Sequence, residues 1–164
     1  MNNTAIITGG NKGIGADLAS ALLQLDYTVV SLARHAPEIK HKNLHSVTVD
    51  LLDPDAVSDA SAKVASEFEV THLIHNAGLI WPNLIEDAGP EDITGLSQLH
   101  LGSALTLLKA VLPSMKKNQF GRVMFNGSCS TGCTYTHGIW RNKSRHDRYG
   151  TYLGTGTGRS RNYS

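Results

Sequence analysis

Cysteine is nearly missing from this 164-residue chain. Cys129 and Cys133 are too few to staple a fold of this size, and their three-residue gap lacks the further ligands that a zinc site needs. Two incidental thiols are the expectation, with no bound metal. Long apolar runs are missing too. The chain starts Met-Asn-Asn-Thr without a basic leader region, and the apolar residues that follow are too few for a signal segment or a membrane span. A cytoplasmic location without a membrane partner is therefore expected.

Charge of one sign is scarce overall, the net being +1, but its distribution is uneven. Up to Ser128 there are nine basic and thirteen acidic residues; from Cys129 to Ser164 there are six and one. The second stretch contains no alanine or valine, and Ile139 and Leu153 are its only aliphatic side chains. Such a segment buries too little apolar surface to offset its ordering entropy, so 129–164 is expected to be a disordered tail. Its Arg141, Lys143, Arg145 and Arg148 lie near Trp140 and Tyr149. Aromatic side chains among arginines can stack on bases, but the run is short and no nucleic-acid partner is inferred.

What is present lies in residues 1–128. Thr4–Thr8 reads as a strand, and Gly13–Leu25 as a helix with Ile14, Leu18, Ala21, Leu22 and Leu25 at helical spacing. Strands follow at 28–33, 46–49, 72–75 and 122–125. Helices are expected from Asp53-Pro54 to about Phe68 and from about Leu96 to Lys117, the latter carrying Leu101, Leu105, Leu108, Val111 and Leu112 on one side. Strands spaced by helices predict βαβ units: an α/β fold with a doubly wound parallel sheet, here incomplete. Between the first strand and helix runs Thr-Gly-Gly-Asn-Lys-Gly-Ile-Gly, Thr8 to Gly15. Spaced glycines let a backbone approach a diphosphate, and the helix that follows aims free N–H groups and its positive dipole end at that anion. A Gly-rich turn can also serve tight packing alone; strand before and helix after favour the phosphate cradle.

Four ordered motifs resemble the short-chain dehydrogenase/reductase family. They are Thr8-Gly9-x-x-x-Gly13-x-Gly15, Asp50-Leu51, Asn76-Ala77-Gly78, and Gly121-Arg122-Val123 leading to Ser128. The resemblance covers Met1 to about Ser128 and implies a Rossmann-like fold that binds a dinucleotide outside the carboxyl ends of the strands. Gly9, Asn11, Lys12, Gly13, Ile14 and Gly15 would hold the diphosphate. Asp50, with Leu51, would meet the adenine amine, the competing reading of the acid being a helix cap that Asp53 could supply instead. Asn76, Ala77 and Gly78 would line the nicotinamide ribose. At the end of the second strand Ala33 offers no carboxylate to repel a 2′-phosphate, while Arg34 and Lys12 offer cations that can fork onto one. That favours NADP over NAD, the alternative being a solvated Arg34.

The family's chemistry implies hydride transfer to or from a carbonyl or alcohol, with a tyrosine as acid, a lysine four residues on, and a serine that orients the substrate. Ser128 matches the serine. His100 stands where the family usually has an asparagine in the helix before strand five. No tyrosine in these 164 residues has lysine four positions on: Tyr135 has Ile139 there and Tyr149 has Leu153. Removing residues that act as a unit costs several orders of magnitude, so an impaired enzyme is expected, or alternatively a non-catalytic nucleotide-binding or regulatory module.

Codons for Ile139-Trp140-Arg141-Asn142-Lys143-Ser144 read one base later can give Tyr-Gly-Ala-Thr-Lys-Ala, with the missing pair at its proper spacing. Residues from about Cys129 on are accordingly expected to be out-of-frame translation of a family member. The resulting chain would be truncated and would lack the family's later strands, its substrate lid and its pairing helix, so family-type homo-oligomers are not expected of it.

Overall fold

The computed structural model describes residues 3–79, 86–127, 133–136 and 139–142. The chain divides into two units, Met1–Ser128 and Cys129–Ser164. In the first, β1 (Thr4–Thr8), β2 (Thr28–Ala33), β3 (Leu44–Thr48), β4 (His72–His75) and β5 (Arg122–Phe125) form one parallel sheet in the order β3-β2-β1-β4-β5. Helices α1 (Gly13–Gln24), α2 (Pro54–Glu67), α3 (Pro90–Ser97) and α4 (Ser103–Lys117) fill the connections, and a π-turn, Gln98–Gly102, joins the last two. This is the doubly wound arrangement that the alternating pattern predicts.

Side chains alternate between the faces of a strand, so each central strand feeds two cores. Ile6, Val30 and Leu73 point to the face covered by α2 and α4, where they meet Val57, Val64, Leu107 and Val111. Their chain neighbours Ile7, Val29 and Ile74 point to the other face and meet Ala19 and Leu23 of α1. Burial on both faces explains why β1 reads as an unbroken apolar run, whereas the edge strand β3 is half-exposed. The carboxylate of Asp53 accepts from the N–H groups of Asp55 and Ala56, and Pro54 occupies the first turn, so α2 starts where the Asp-Pro pair predicts.

Four sequence expectations need correction. Helix begins at Pro90 rather than near Leu96, because Gly89-Pro90 makes a start: the Asp92 carboxylate accepts from the Gly89 N–H, and Pro90 lacks a donor to leave unpaired. In α4 and its approach the buried positions are Leu99, Ala104, Leu107, Val111 and Met115, while Leu101 and Leu105 are more than half exposed. The expected side is therefore right at Val111, which is buried, and at Leu108, which packs against the core, and wrong at Leu101 and Leu105. In α1, likewise, the buried residues are Gly15, Ala19 and Leu23, with Ile14 and Leu25 facing out. β3 also starts two residues earlier than expected, at Leu44.

β5 pairs with β4 alone among the described residues. All four of its residues are exposed, Phe125 at 60%. In the second unit β6 (Cys133–Thr136) and β7 (Ile139–Asn142) pair antiparallel, Cys133 opposite Asn142 and Thr136 opposite Ile139. These eight residues are the described part of the segment expected to be disordered; the rest of 129–164 lies outside the described residues.

Candidate nucleotide site

The strand order reverses between β1 and β4, and the loops that leave these two strands lie against each other. Gly9 has φ +67° and Gly13 φ +53°, left-handed conformations that favour glycine. A Cβ on Gly9 would sit 3.1 Å from Ala77 Cα. At Gly15 a Cβ would overlap the Gly9 carbonyl oxygen and stand 2.7 Å from Asn76 Nδ2. Gly10 was not singled out in the sequence, yet it is buried and its missing Cβ makes room for Ser31 Oγ, 2.7 Å from where that carbon would be. No periodicity marks such a residue; only the partner beneath it does.

Lys12 is the N-cap of α1 and makes no side-chain cap hydrogen bond, and the first turn holds no acidic residue. Among the described residues, then, no side chain caps the start of α1, and at Gly13 a Cβ would meet nothing within 4 Å. A helix start without a side-chain cap, with room and a nearby cation, suits an anion, so the residues present fit a diphosphate.

Thr8 ties the two loops together. It is fully buried, and its Oγ1 accepts from the N–H groups of Asn76 and Ala77, both at 3.0 Å. With both lone pairs engaged, its one proton goes to His75 Nδ1, 3.1 Å away. That fixes the neutral His75 ring with its proton on Nε2, an atom without a hydrogen bond among the described residues. Asn76 Nδ2 adds bonds to the carbonyls of Thr8 (3.2 Å) and Gly9 (3.4 Å), and Asn126 Nδ2 donates to Asn76 Oδ1 at 2.8 Å.

Burial, then the field of His100, holds His75 below the usual imidazole range, the Leu99 carbonyl offsetting this in part. His72 is lowered as well, by burial first and then by Arg122. A group whose folded pKa is depressed binds its proton more readily when unfolded. Stability should therefore be full above the unfolded histidine value of about 6.5 and fall as pH drops below it, with a slope of at most about 1.4 kcal/mol per pH unit from His75. Urea midpoints taken between pH 7.5 and 5 check this. His75→Asn, which does not titrate in that range, should make the decline shallower; an unchanged slope would clear His75 of the effect.

The other expected residues fall as follows. Asn11, Lys12 and Ile14 lie in the cradle, Lys12 and Ile14 being exposed. Arg34 is exposed just past the carboxyl end of β2. Asp50 Oδ1 accepts from the Leu52 N–H at 3.0 Å, so one oxygen shapes the turn after β3, while Asp53 supplies the helix cap. Leu51 is buried and its carbonyl accepts from Gln98 Nε2 at 3.3 Å. Gly78 is exposed, and a Cβ there would stand 3.5 Å from His100 Cε1. His100 Nε2 lies 3.3 Å from the Leu79 carbonyl. Ser128, like Cys129 and Tyr149, lies outside the described residues. The structure thus places residues 8–15 against Asn76 and Ala77, while Leu51 and Leu79 are each reached from 98–100, by Gln98 and by His100; Gly10, Gln98 and His100 were not counted among the expected site residues. Among the described residues there is no cluster of three or more side chains that could hold a metal, and no helix is long and apolar enough to cross a membrane.

Comparison with known proteins extends the match about twelve residues past Ser128, where the four motifs end. The family model described as short chain dehydrogenase matches residues 3–140. The 3-oxoacyl-acyl-carrier-protein reductase of Buchnera aphidicola is 27% identical over 132 residues, which cover 76% of this chain and 54% of that protein. The D-beta-hydroxybutyrate dehydrogenase of Rhizobium meliloti is 32% identical over 136 residues, 76% and 53% of the two chains. Among solved structures, a short chain dehydrogenase from Leptospira borgpetersenii with bound NAD+ superposes with a TM-score of 0.68 at 19% identity, covering 78% of this chain and 52% of the other. The chain spans about half the length of the curated relatives it matches.

Proposed function

The chain belongs to the short chain dehydrogenase family, and we propose on that footing that residues 1–128 bind NADP as part of an oxidoreductase acting on a carbonyl or alcohol substrate. The observation that carries the reading is the cradle at Gly9–Gly15, with no side-chain cap at the start of α1 among the described residues and two loops locked by Thr8. Bound there, the cofactor would give a hydride to a carbonyl as NADPH or take one from an alcohol as NADP+. Gly9, Asn11, Lys12, Gly13, Ile14 and Gly15 hold its diphosphate, Asp50 and Leu51 its adenine, and Asn76, Ala77 and Gly78 its second ribose. Arg34 and Lys12 favour the 2′-phosphate, since neither strand end nor loop start offers a carboxylate to repel it. Ser128 orients the substrate.

Turnover by these 164 residues is impaired, because no Tyr-x-x-x-Lys pair is present to donate the proton. The same absence favours a second reading, a nucleotide-binding module without chemistry. The encoding DNA separates the two origins: a one-base-shifted frame after Ser128 that runs open through Tyr-x-x-x-Lys codons marks a displaced catalytic half, and stops in that frame refute it.

Titration calorimetry with NADPH and NADH tests the cofactor. NADPH should bind the tighter by about tenfold or more, and Arg34→Ala should remove most of that advantage while leaving NADH unchanged, as expected when a charge-assisted contact to phosphate is lost. Equal affinities for both cofactors would end the NADP assignment. Ordinary rates with NADPH and simple carbonyl compounds would end the claim of impairment.

A further inference from the structure

The π-turn between α3 and α4 touches both segments of the nucleotide groove at once. Leu99 is its buried apex, 7% exposed. Neighbours in a helix diverge by roughly 100°, so Gln98 and His100 leave the apex on opposite sides. Gln98 Nε2 donates to the carbonyl of Leu51, in the turn that follows β3. His100 Nε2 meets the carbonyl of Leu79, in the loop that follows β4. Both contacts are 3.3 Å long, and both fall on backbone rather than on side chains that could swing away.

The turn is built to hold this pose. Ser103 N–H donates to the Gln98 carbonyl, the five-residue bond that widens the helix, and Ser103 Oγ donates to the Leu99 carbonyl at 2.6 Å. A Cβ on residue 102 would overlap Gln98 Oε1, so Gly102 leaves the amide room to fold back along its own turn. Widened turns of this kind are often found at functional sites; here the widening coincides with two polar reaches onto two loops.

We propose that Gln98 and His100 are positioning residues, which set the width of the cofactor groove by tethering the turn after β3 and the loop after β4 to one π-turn. The inference takes its ligands from the nucleotide reading above. Gln98 governs the adenine end through Leu51, and His100 the nicotinamide end through Gly78 and Leu79.

Two readouts test it, one of which needs no ligand. In amide hydrogen exchange on the free chain, Gln98→Met should speed exchange within residues 50–53, and His100→Leu within 76–79, by about three- to tenfold each, the range for one neutral hydrogen bond. Neither should act on the other's segment, and His100→Gln, which keeps a donor, should restore the second. In binding, Gln98→Met should weaken 2′,5′-ADP and NADPH alike, whereas His100→Leu should weaken NADPH and spare 2′,5′-ADP. Exchange that is unchanged, or raised equally in both segments, overturns the proposal, as does an equal loss for both ligands with both variants. If the unsubstituted chain binds neither nucleotide, the cofactor reading fails on its own, and the exchange pattern still decides whether the π-turn positions the loops.

Discussion

Gly15→Ala should cost about 3 kcal/mol of stability and abolish nucleotide binding, although it replaces the poorer helix former by the better one. Alanine in a helix gains up to about 1 kcal/mol over glycine. Against that, its Cβ would overlap the Gly9 carbonyl oxygen and stand 2.9 Å from the Gly9 carbonyl carbon. Backbone cannot rotate out of the way as a side chain can, so either α1 must move off the sheet or the first turn of the cradle must open. Overpacking of this kind costs typically 1–3 kcal/mol, and more where backbone is the obstacle. Gly13→Ala is the matched control: φ there is +53° with nothing within 4 Å of the added carbon, so it carries conformational strain of about 1 kcal/mol and no collision. Urea unfolding followed by circular dichroism should rank the two variants in that order. A Gly15→Ala protein as stable as the parent would mean that α1 and the Gly9 turn are not held against each other.

The ranking also marks what the sequence could reveal. The strand–glycine–helix succession at Thr4–Gln24 was legible because it rests on local rules: a β-branched run, positive φ at glycine, and helical spacing after it. The five strands were legible for the same reason, β1, β2, β4 and β5 to the residue. What was hidden depends on contacts between distant segments. Which apolar positions along α4 and its approach face inward is decided by α2 and the sheet: Val111 was read on the buried side, whereas Leu101 and Leu105 lost to Ala104, Leu107 and Met115. A π-turn has no sequence signature beyond a glycine at 102, and the need for Gly10 appears only once Ser31 is found under it. Thr8 was readable as the start of the motif, but its part in joining the two loops was not, because that depends on Asn76 and Ala77, 68 and 69 residues on.

Thr8→Val should cost about 3 kcal/mol or more and separate the two loops, because it deletes the one hydroxyl that both of them share. Valine has nearly the same shape, so the cavity term is small; what changes is hydrogen bonding. The N–H groups of Asn76 and Ala77 both lose their acceptor, and His75 Nδ1 loses its donor, inside a site where Thr8 and His75 are almost wholly buried. Each buried polar group left unpaired costs about 1–3 kcal/mol. Thr8→Ser keeps the hydroxyl and gives up only a methyl, about 0.5–1.5 kcal/mol on the scale of removing one methyl group from a core. Valine should therefore be much worse than serine, the reverse of what apolar burial alone would predict for a fully buried position. The loss should also reach the cofactor: without the Thr8 hydroxyl, the hydrogen bonds left between the Asn76–Gly78 loop and the end of β1 among the described residues are those of the Asn76 side chain, and NADPH affinity should fall with stability in the valine variant and survive in the serine one. Measured unfolding energies in the opposite order would mean that the loops are joined by packing, and that the hydroxyl is incidental.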